Sequence, residues 1–466
     1  MYNQITIQSK IIKPAIIGIS LILAIVLPYF LNSIKSFIML FSAGILFLFF
    51  VKPEKFLLGY LIISPILDQL IPFFTTMNLN MRLGPQIIIR GGITLFLVFY
   101  IIINHEIIFS SPIIKPVFVI LVCLTAVTLI ADPKNIEGFT ELSKIYFWMV
   151  LMIVIADMTK NNQISMKRIY QLVTISSIIF LISLFVSQKF GIQTSKGYSN
   201  WGANTGAFAP HAVAISLCMI LNVIVYFIGK QKKLSYFLLA IILCSLIVFS
   251  ILNTYVRTAY LASVIALISL IVLTWNYNKG EGAKRQKLTL VVIFLVMSGI
   301  VVFQISTHRE NYNKRFTDLS NLDEKYAAGR LEIWKDAIKT YQRYTIFEKI
   351  LGGGIGISYK NQFLGTGKAG THNDYIFILL SGGLLGIVLF VWLFIVIIRC
   401  LKCSKYGDRT PIIIGLSTVV TYLVASMTNN VQVYPSVMTY FCFLVGGAIG
   451  YYQSQEKKEL SPKGTI

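Results

Sequence analysis

Of the chain's four histidines, one stands in a setting suited to proton transfer. His372 lies in Gly370-Thr371-His372-Asn373-Asp374-Tyr375, just ahead of a long apolar run. A neutral imidazole there could take a proton from a hydroxyl group, with Asn373 orienting the ring or the substrate. Asn373 and Asp374 are equally good N-caps for the helix that follows, so the stretch also reads as an interfacial cap. Arg257 opens an apolar run after Asn253-Thr254-Tyr255-Val256, and Arg330 follows Gly329 at the start of a helical stripe. A guanidinium grips phosphate oxygens bidentately and stays charged, so such arginines at a membrane surface suit a diphosphate. Arg82 and Arg90 are further candidates. The bland reading of all four is snorkelling to lipid headgroups. His211, after Pro210 at the head of another apolar run, is an interfacial histidine or a substrate contact.

Other motifs carry less. Gly352-Gly353-Gly354-Ile355-Gly356 is not followed by Lys-Ser/Thr, so it is no nucleotide-binding P-loop. It reads as a flexible turn, or as a backbone surface close to substrate at Gly354. No Asp-x-Asp occurs, and carboxylates are sparse near these candidates. The expectation is therefore a site with no metal and no cofactor, in which cations alone neutralise a leaving diphosphate. Cys400 and Cys403 form a lone CxxC pair without a second pair or a nearby histidine, and none of the six cysteines implies a disulfide framework.

The elements that must position these residues are membrane helices. The chain has 466 residues, 56% hydrophobic and only 13% charged, against about 25% charged in a soluble domain. Its mean hydropathy is +0.74. A formal charge of +22 invites a nucleic-acid reading. That reading fails, because the cations sit in small clusters between apolar runs, as in cytoplasmic loops. Apolar runs near the length needed to cross a bilayer recur from Pro14–Leu31 to Tyr434–Tyr452, about fourteen in all. The fold expected is an all-α polytopic membrane protein of about 12–14 transmembrane helices with one large extracytoplasmic loop.

Alternate short loops are basic, among them Lys160, Lys167 and Arg168, then Lys230, Lys232 and Lys233, then Arg399, Lys402 and Arg409. The positive-inside rule then puts both termini in the cytoplasm and the candidate residues on the outer side. Three regions follow: residues 1–305 with helices 1 to about 11, the outer loop 306–373, and residues 374–466 with about three last helices and a cytoplasmic tail. Within the loop, Leu331, Trp334, Ile338 and Tyr341 form a helical stripe over Ala328–Tyr344.

The order of Arg257 at a span start, Gly329-Arg330 and Trp334 in a long loop, Gly352/Gly354/Gly356, His372-Asn373 and then Gly382-Gly383-Leu384-Leu385-Gly386 resembles the O-antigen ligase and O-antigen polymerase family. The resemblance covers residues 200–393. It implies an undecaprenyl-diphosphate-linked glycan donor in the bacterial cytoplasmic membrane. Arg257 and Arg330 would hold the diphosphate, and His372 would activate the acceptor hydroxyl. The chain departs from the family at Val256-Arg257-Thr258, and at Gly206-Ala207-Phe208-Ala209-Pro210-His211, where the family carries asparagine in place of His211. The reaction expected is inverting glycosyl transfer: polymerisation of lipid-linked repeat units, or ligation to lipid A-core or protein. A chain-length regulator and a flippase are expected partners. A lipid-linked oligosaccharide flippase is the rival from another class, but it would bury more charge mid-span than Asp68 and keep its loops short.

Overall fold

The computed structural model describes residues 52–76, 85–104, 111–131, 133, 136–189, 209–231, 233–279, 281–307, 330–357, 370–402 and 408–460. Among them are helices and no strand. The two earliest predicted spans, Arg82, His105 and His308 lie outside the described residues, as does Cys403.

The helices are α1 (Pro53–Thr76), α2 (Pro85–Ile103), α3 (Ile114–Ala131), α4 (Ile136–Lys160), α5 (Met166–Lys189), α6 (Pro210–Ile228) and α7 (Leu234–Asn253). After these come α8 (Arg257–Tyr277), α9 (Glu281–Thr307), the loop helices α10 (Arg330–Arg343) and α11 (Ile346–Leu351), then α12 (Asp374–Lys402) and α13 (Thr410–Ser426). The last described elements are α14 (Pro435–Phe441), a π-turn at Cys442–Gly446, and α15 (Gly447–Leu460). Eight of these helices are long and apolar enough to cross a membrane. With polar backbone satisfied only within helices, this is an all-α polytopic membrane protein. The last span differs from expectation. Instead of one helix over Tyr434–Tyr452, the π-turn interrupts it where Gly446 and Gly450 press against the carbonyls of Met152 and Ala156 on α4. Glycines let the two backbones approach, and close approach is what holds helices together where no hydrophobic drive acts between them.

The two ends of the bundle differ in chemistry. At one, Lys230 donates to Thr410 (2.6 Å) and pairs with Asp408 (3.7 Å), Tyr452 caps the Asp408 carbonyl (3.1 Å), and Gln453 reaches Ser111 (3.1 Å). At the other lie the N-termini of α6, α8, α12 and α14 and the C-termini of α7 and α13.

α12 is broken at Gly383, whose φ of +63° only glycine adopts without strain. The break frees carbonyls in mid-helix, and the Gly352–Gly354 stretch fills them. Gly353 N–H donates to Leu380 O (2.9 Å) and Gly354 N–H to Ser381 O (3.1 Å). A Cβ on Gly352 would collide with the Ser381 backbone, and one on Gly383 with Ile350 O. The glycine run is thus a packed wedge in the broken helix, a correction to the flexible turn expected from its composition.

Candidate functional site

Everything at the second end converges on the connection from α13 to α14. Asp374, the first residue of α12, is fully buried. Its Oδ2 accepts from Ser426 Oγ (2.7 Å), from the backbone N–H groups of Val431 (3.0 Å) and Gln432 (3.4 Å), and from Tyr422 OH (3.4 Å). Asn430 is buried beside it, and its Oδ1 accepts twice, from Asn373 N–H (2.7 Å) and Thr371 Oγ1 (3.1 Å). The neighbouring Thr428 exchanges a hydrogen bond with Thr258 in the first turn of α8. One polar hub therefore ties α8, α12 and α13 together.

His372 is the residue between the two that Asn430 grips. Its φ is +48°, a left-handed conformation uncommon outside glycine. The second such residue at this end is Tyr255 (φ +52°), two before Arg257. Strained backbone of this kind persists only where the surroundings over-determine it, and it collects at functional sites. Asn373 shows how the conformation is fixed. Its Oδ1 caps α12 through Tyr375 N–H (2.9 Å) and Ile376 N–H (3.1 Å), while Nδ2 donates to Met427 O (2.7 Å). Of the two roles open to Asn373, capping and substrate contact, the geometry supports the first: both ends of the amide are used within the protein.

The loop helix α10 docks onto the same stretch. Trp334 Nε1 donates to Thr371 O (2.9 Å), and Arg330 lies four residues earlier, on the same helical face. Burial lowers the Arg330 guanidinium below its ordinary pKa; nearby Tyr434 opposes that shift and Arg257 adds to it. His372 is pushed down to about 4, first by burial and then by Arg330. Its imidazole is neutral at physiological pH and able to accept a proton. His211, at the start of α6, comes within 6.4 Å of His372, ring centre to ring centre, at 44° between planes. Two arginines and two histidines from four helices or their approaches thus share one end of the bundle.

Of the expected site residues, the structure brings together His372, Arg257, Arg330, His211 and Asn373. Arg90 falls on α2 (Pro85–Ile103), which packs against α4. Gly354 serves elsewhere: it backs onto Thr128 and Ala131 at the end of α3. Sequence reasoning passed over Tyr434. It placed Asn430 at the outer surface among polar residues that could converge on one cavity, but gave it no role, because nothing local distinguishes a hub from a loop. Among the described residues no three His, Cys, Asp or Glu side chains gather in metal-binding geometry.

The assembly gathers arginines and histidines at one end of a polytopic membrane bundle. Residues 242–391 match the family profile described as O-antigen ligase. That stretch contains Arg257, Arg330, the wedge, His372 and the broken helix, and it supports glycan transfer of the O-antigen ligase and polymerase type. His211 and the hub residue Asn430 fall outside it. A search of curated proteins gave no match.

Proposed function

We propose that the protein polymerises lipid-linked polysaccharide repeat units of the O-antigen, capsule or exopolysaccharide kind on the extracytoplasmic face of the bacterial cytoplasmic membrane. The single observation that carries this is the docking of α10, which sets Arg330 beside Arg257 and His372. Sidedness follows from charge. The lysine-rich end containing Lys230, Lys233 and Lys402 is the cytoplasmic one by the positive-inside rule, so the histidine end faces outward and both termini face inward.

In this reading Arg257 and Arg330 bind the diphosphate of an undecaprenyl-diphosphate-linked glycan. The acceptor sugar hydroxyl attacks the anomeric carbon from the side opposite the diphosphate, inverting it. The C–O bond to the diphosphate breaks as the new glycosidic bond forms. His372 takes the hydroxyl proton, and the arginines stabilise the departing charge. A base with a pKa near 4 is weak at neutral pH. The arriving diphosphate offsets the Arg330 charge and lets the imidazole rise toward the useful range. His211 faces His372 from α6, where it would orient the acceptor. A chain-length regulator and a flippase would act beside it. Ligation to lipid A-core or protein is the second reading, favoured by the description of the matched family.

Chromosomal replacement of the gene by His372→Ala and Arg257→Ala, with membrane levels checked, tests this. Loss of long polymer with single repeat units kept on the carrier supports the polymerase. Full-length polymer accumulating on the carrier supports the ligase. Normal glycan in both variants overturns both readings.

A further inference from the structure

The loop between α9 and α12 is polar in sequence, yet its second helix is amphipathic. In α11, Ile346, Phe347, Ile350 and Leu351 fall on one side, with Glu348 and Lys349 on the other. The apolar side is open: Ile346 is 80% exposed, Phe347 62% and Ile350 48%. The helix start needs nothing from outside, because Thr345 and Glu348 close a capping box on it. Three large apolar side chains exposed together on so short a helix mark an interaction surface.

Two neighbours fix the level of that surface. The wedge that follows α11 packs on α3, with Gly354 against Thr128 and Ala131, and Ile355 N–H donates to Thr128 Oγ1 (3.3 Å). α3 has only 18 residues, about 27 Å of helix against a hydrocarbon core of about 30 Å. All of α3 is needed to cross, so its last turn, from Thr128 to Ala131, lies at the core boundary. The second neighbour is α12, where a Cβ on Gly383 would strike the Ile350 carbonyl. The next residue, Leu384, is 54% exposed, and Ile130 in the last turn of α3 is 72% exposed. Both belong to helices apolar enough to span, so α11 sits level with exposed apolar side chains of two spans. The wedge backbone agrees. Irregular backbone at membrane depth is tolerated only where protein buries and satisfies it. Gly352 to Ile355 are buried, and their N–H groups donate in turn to Glu348 O (2.7 Å), Leu380 O, Ser381 O and Thr128 Oγ1.

We propose that α11 is a membrane anchor, lying in the lipid interface at the histidine end with Ile346, Phe347 and Ile350 among the acyl chains and Glu348 and Lys349 turned from them. Tyr341 OH donates to Lys349 O (3.0 Å) and Tyr344 OH to Leu380 O (3.3 Å), so α10 is tied to the anchor. The lipid surface thereby sets the height of Arg330. The anchor itself stands without the glycan chemistry.

The test reads tryptophan emission from the full chain in phosphatidylcholine vesicles, with bromine atoms on the upper acyl chain or with iodide in the buffer. Phe347→Trp and, separately, Ile346→Trp each add one emitter to the five native tryptophans, whose signal is subtracted. Bromolipid should quench the added emission at least about twofold, and iodide should leave it nearly unchanged. Lys349→Trp, on the other side of the helix, should be quenched less by bromolipid and more by iodide. If iodide quenches Phe347→Trp and Ile346→Trp as strongly as Lys349→Trp, the face lies in water and the proposal fails. Added emission shielded from both quenchers also overturns it, and gives the face to a second copy or another protein. None of these readouts depends on glycan transfer, so loss of that reading leaves the test intact.

Discussion

The two ends of the bundle spend their cations in opposite ways. At the lysine-rich end, Lys230 is engaged by Thr410 and Asp408, its ammonium lies over the Tyr226 ring, and Tyr452 closes the same corner. Charge there serves to join helices. At the histidine end, Arg257 lies close enough to Arg330 to add to the lowering of its pKa, while the buried Asp374 carboxylate is turned inward to the hub. Charge gathered at a membrane surface is costly, which makes this end the functional candidate. The lesson is that position in the fold separates the two sets of cations where composition alone does not.

Removing a cation from each end should therefore have unequal effects. Arg330→Met should lower glycan transfer by at least about a hundredfold, as loss of one donor to a developing anion does. The check is in-membrane polymer formation at normal protein level. A loss of only a few fold would erase the proposed difference between the ends. Next in size is the support beneath the histidine. Asn430→Leu strands the Asn373 N–H and leaves the Thr371 hydroxyl only the Asn373 carbonyl (3.1 Å), at a cost of roughly 1–3 kcal/mol. It should lower both the melting temperature and kcat, whereas a purely structural role would lower the first alone.

The same contrast has a pH signature. His372 has a pKa near 4, below its ordinary 6.5, because burial and Arg330 both disfavour the cation. The unfolded chain takes that proton more readily, so this residue's contribution to stability is intact above about 6.5 and falls as the pH drops toward 4. In the free enzyme the acid limb of kcat/KM should lie near 4. In Arg330→Met it should move upward but stop short of 6.5, because burial remains. A limb that does not move would remove Arg330 from the neighbourhood of the base. Smallest of all, Lys230→Met should change stability by no more than about 1 kcal/mol and leave glycan transfer unchanged, since the ion pair is well exposed.

The spans were largely legible in the sequence because bilayer thickness imposes a length on each apolar run. Arg257 and Asp374 begin helices where hydropathy and charge suggested, and the loop helix runs Arg330–Arg343 against an expected Ala328–Tyr344. The stripe that predicted α10 also carries Trp334, whose indole N–H anchors it. What pairs distant segments was not legible. The glycine run and Gly383 are each unremarkable alone, and their interlock depends on a backbone break that has no periodic signature. The nearness of His211 to His372 likewise comes from the starts of α6 and α12 meeting at one end of the bundle, which no local pattern encodes. The π-turn escaped notice because its residues, Cys442–Gly446, are as apolar as the helix on either side.

The left-handed backbone at His372 sets evolution against thermodynamics at one position. A histidine at φ +48° carries strain that a glycine would not. His372→Gly should therefore be inactive yet melt no lower than His372→Ala, and by relief of strain up to about 1 kcal/mol higher, provided the added freedom of the unfolded chain does not outweigh it. Comparing the two dead variants by thermal unfolding isolates the backbone from the imidazole. If glycine wins, selection has kept a locally disfavoured residue in place for its side chain alone, and drift toward stability at this position would silence the protein.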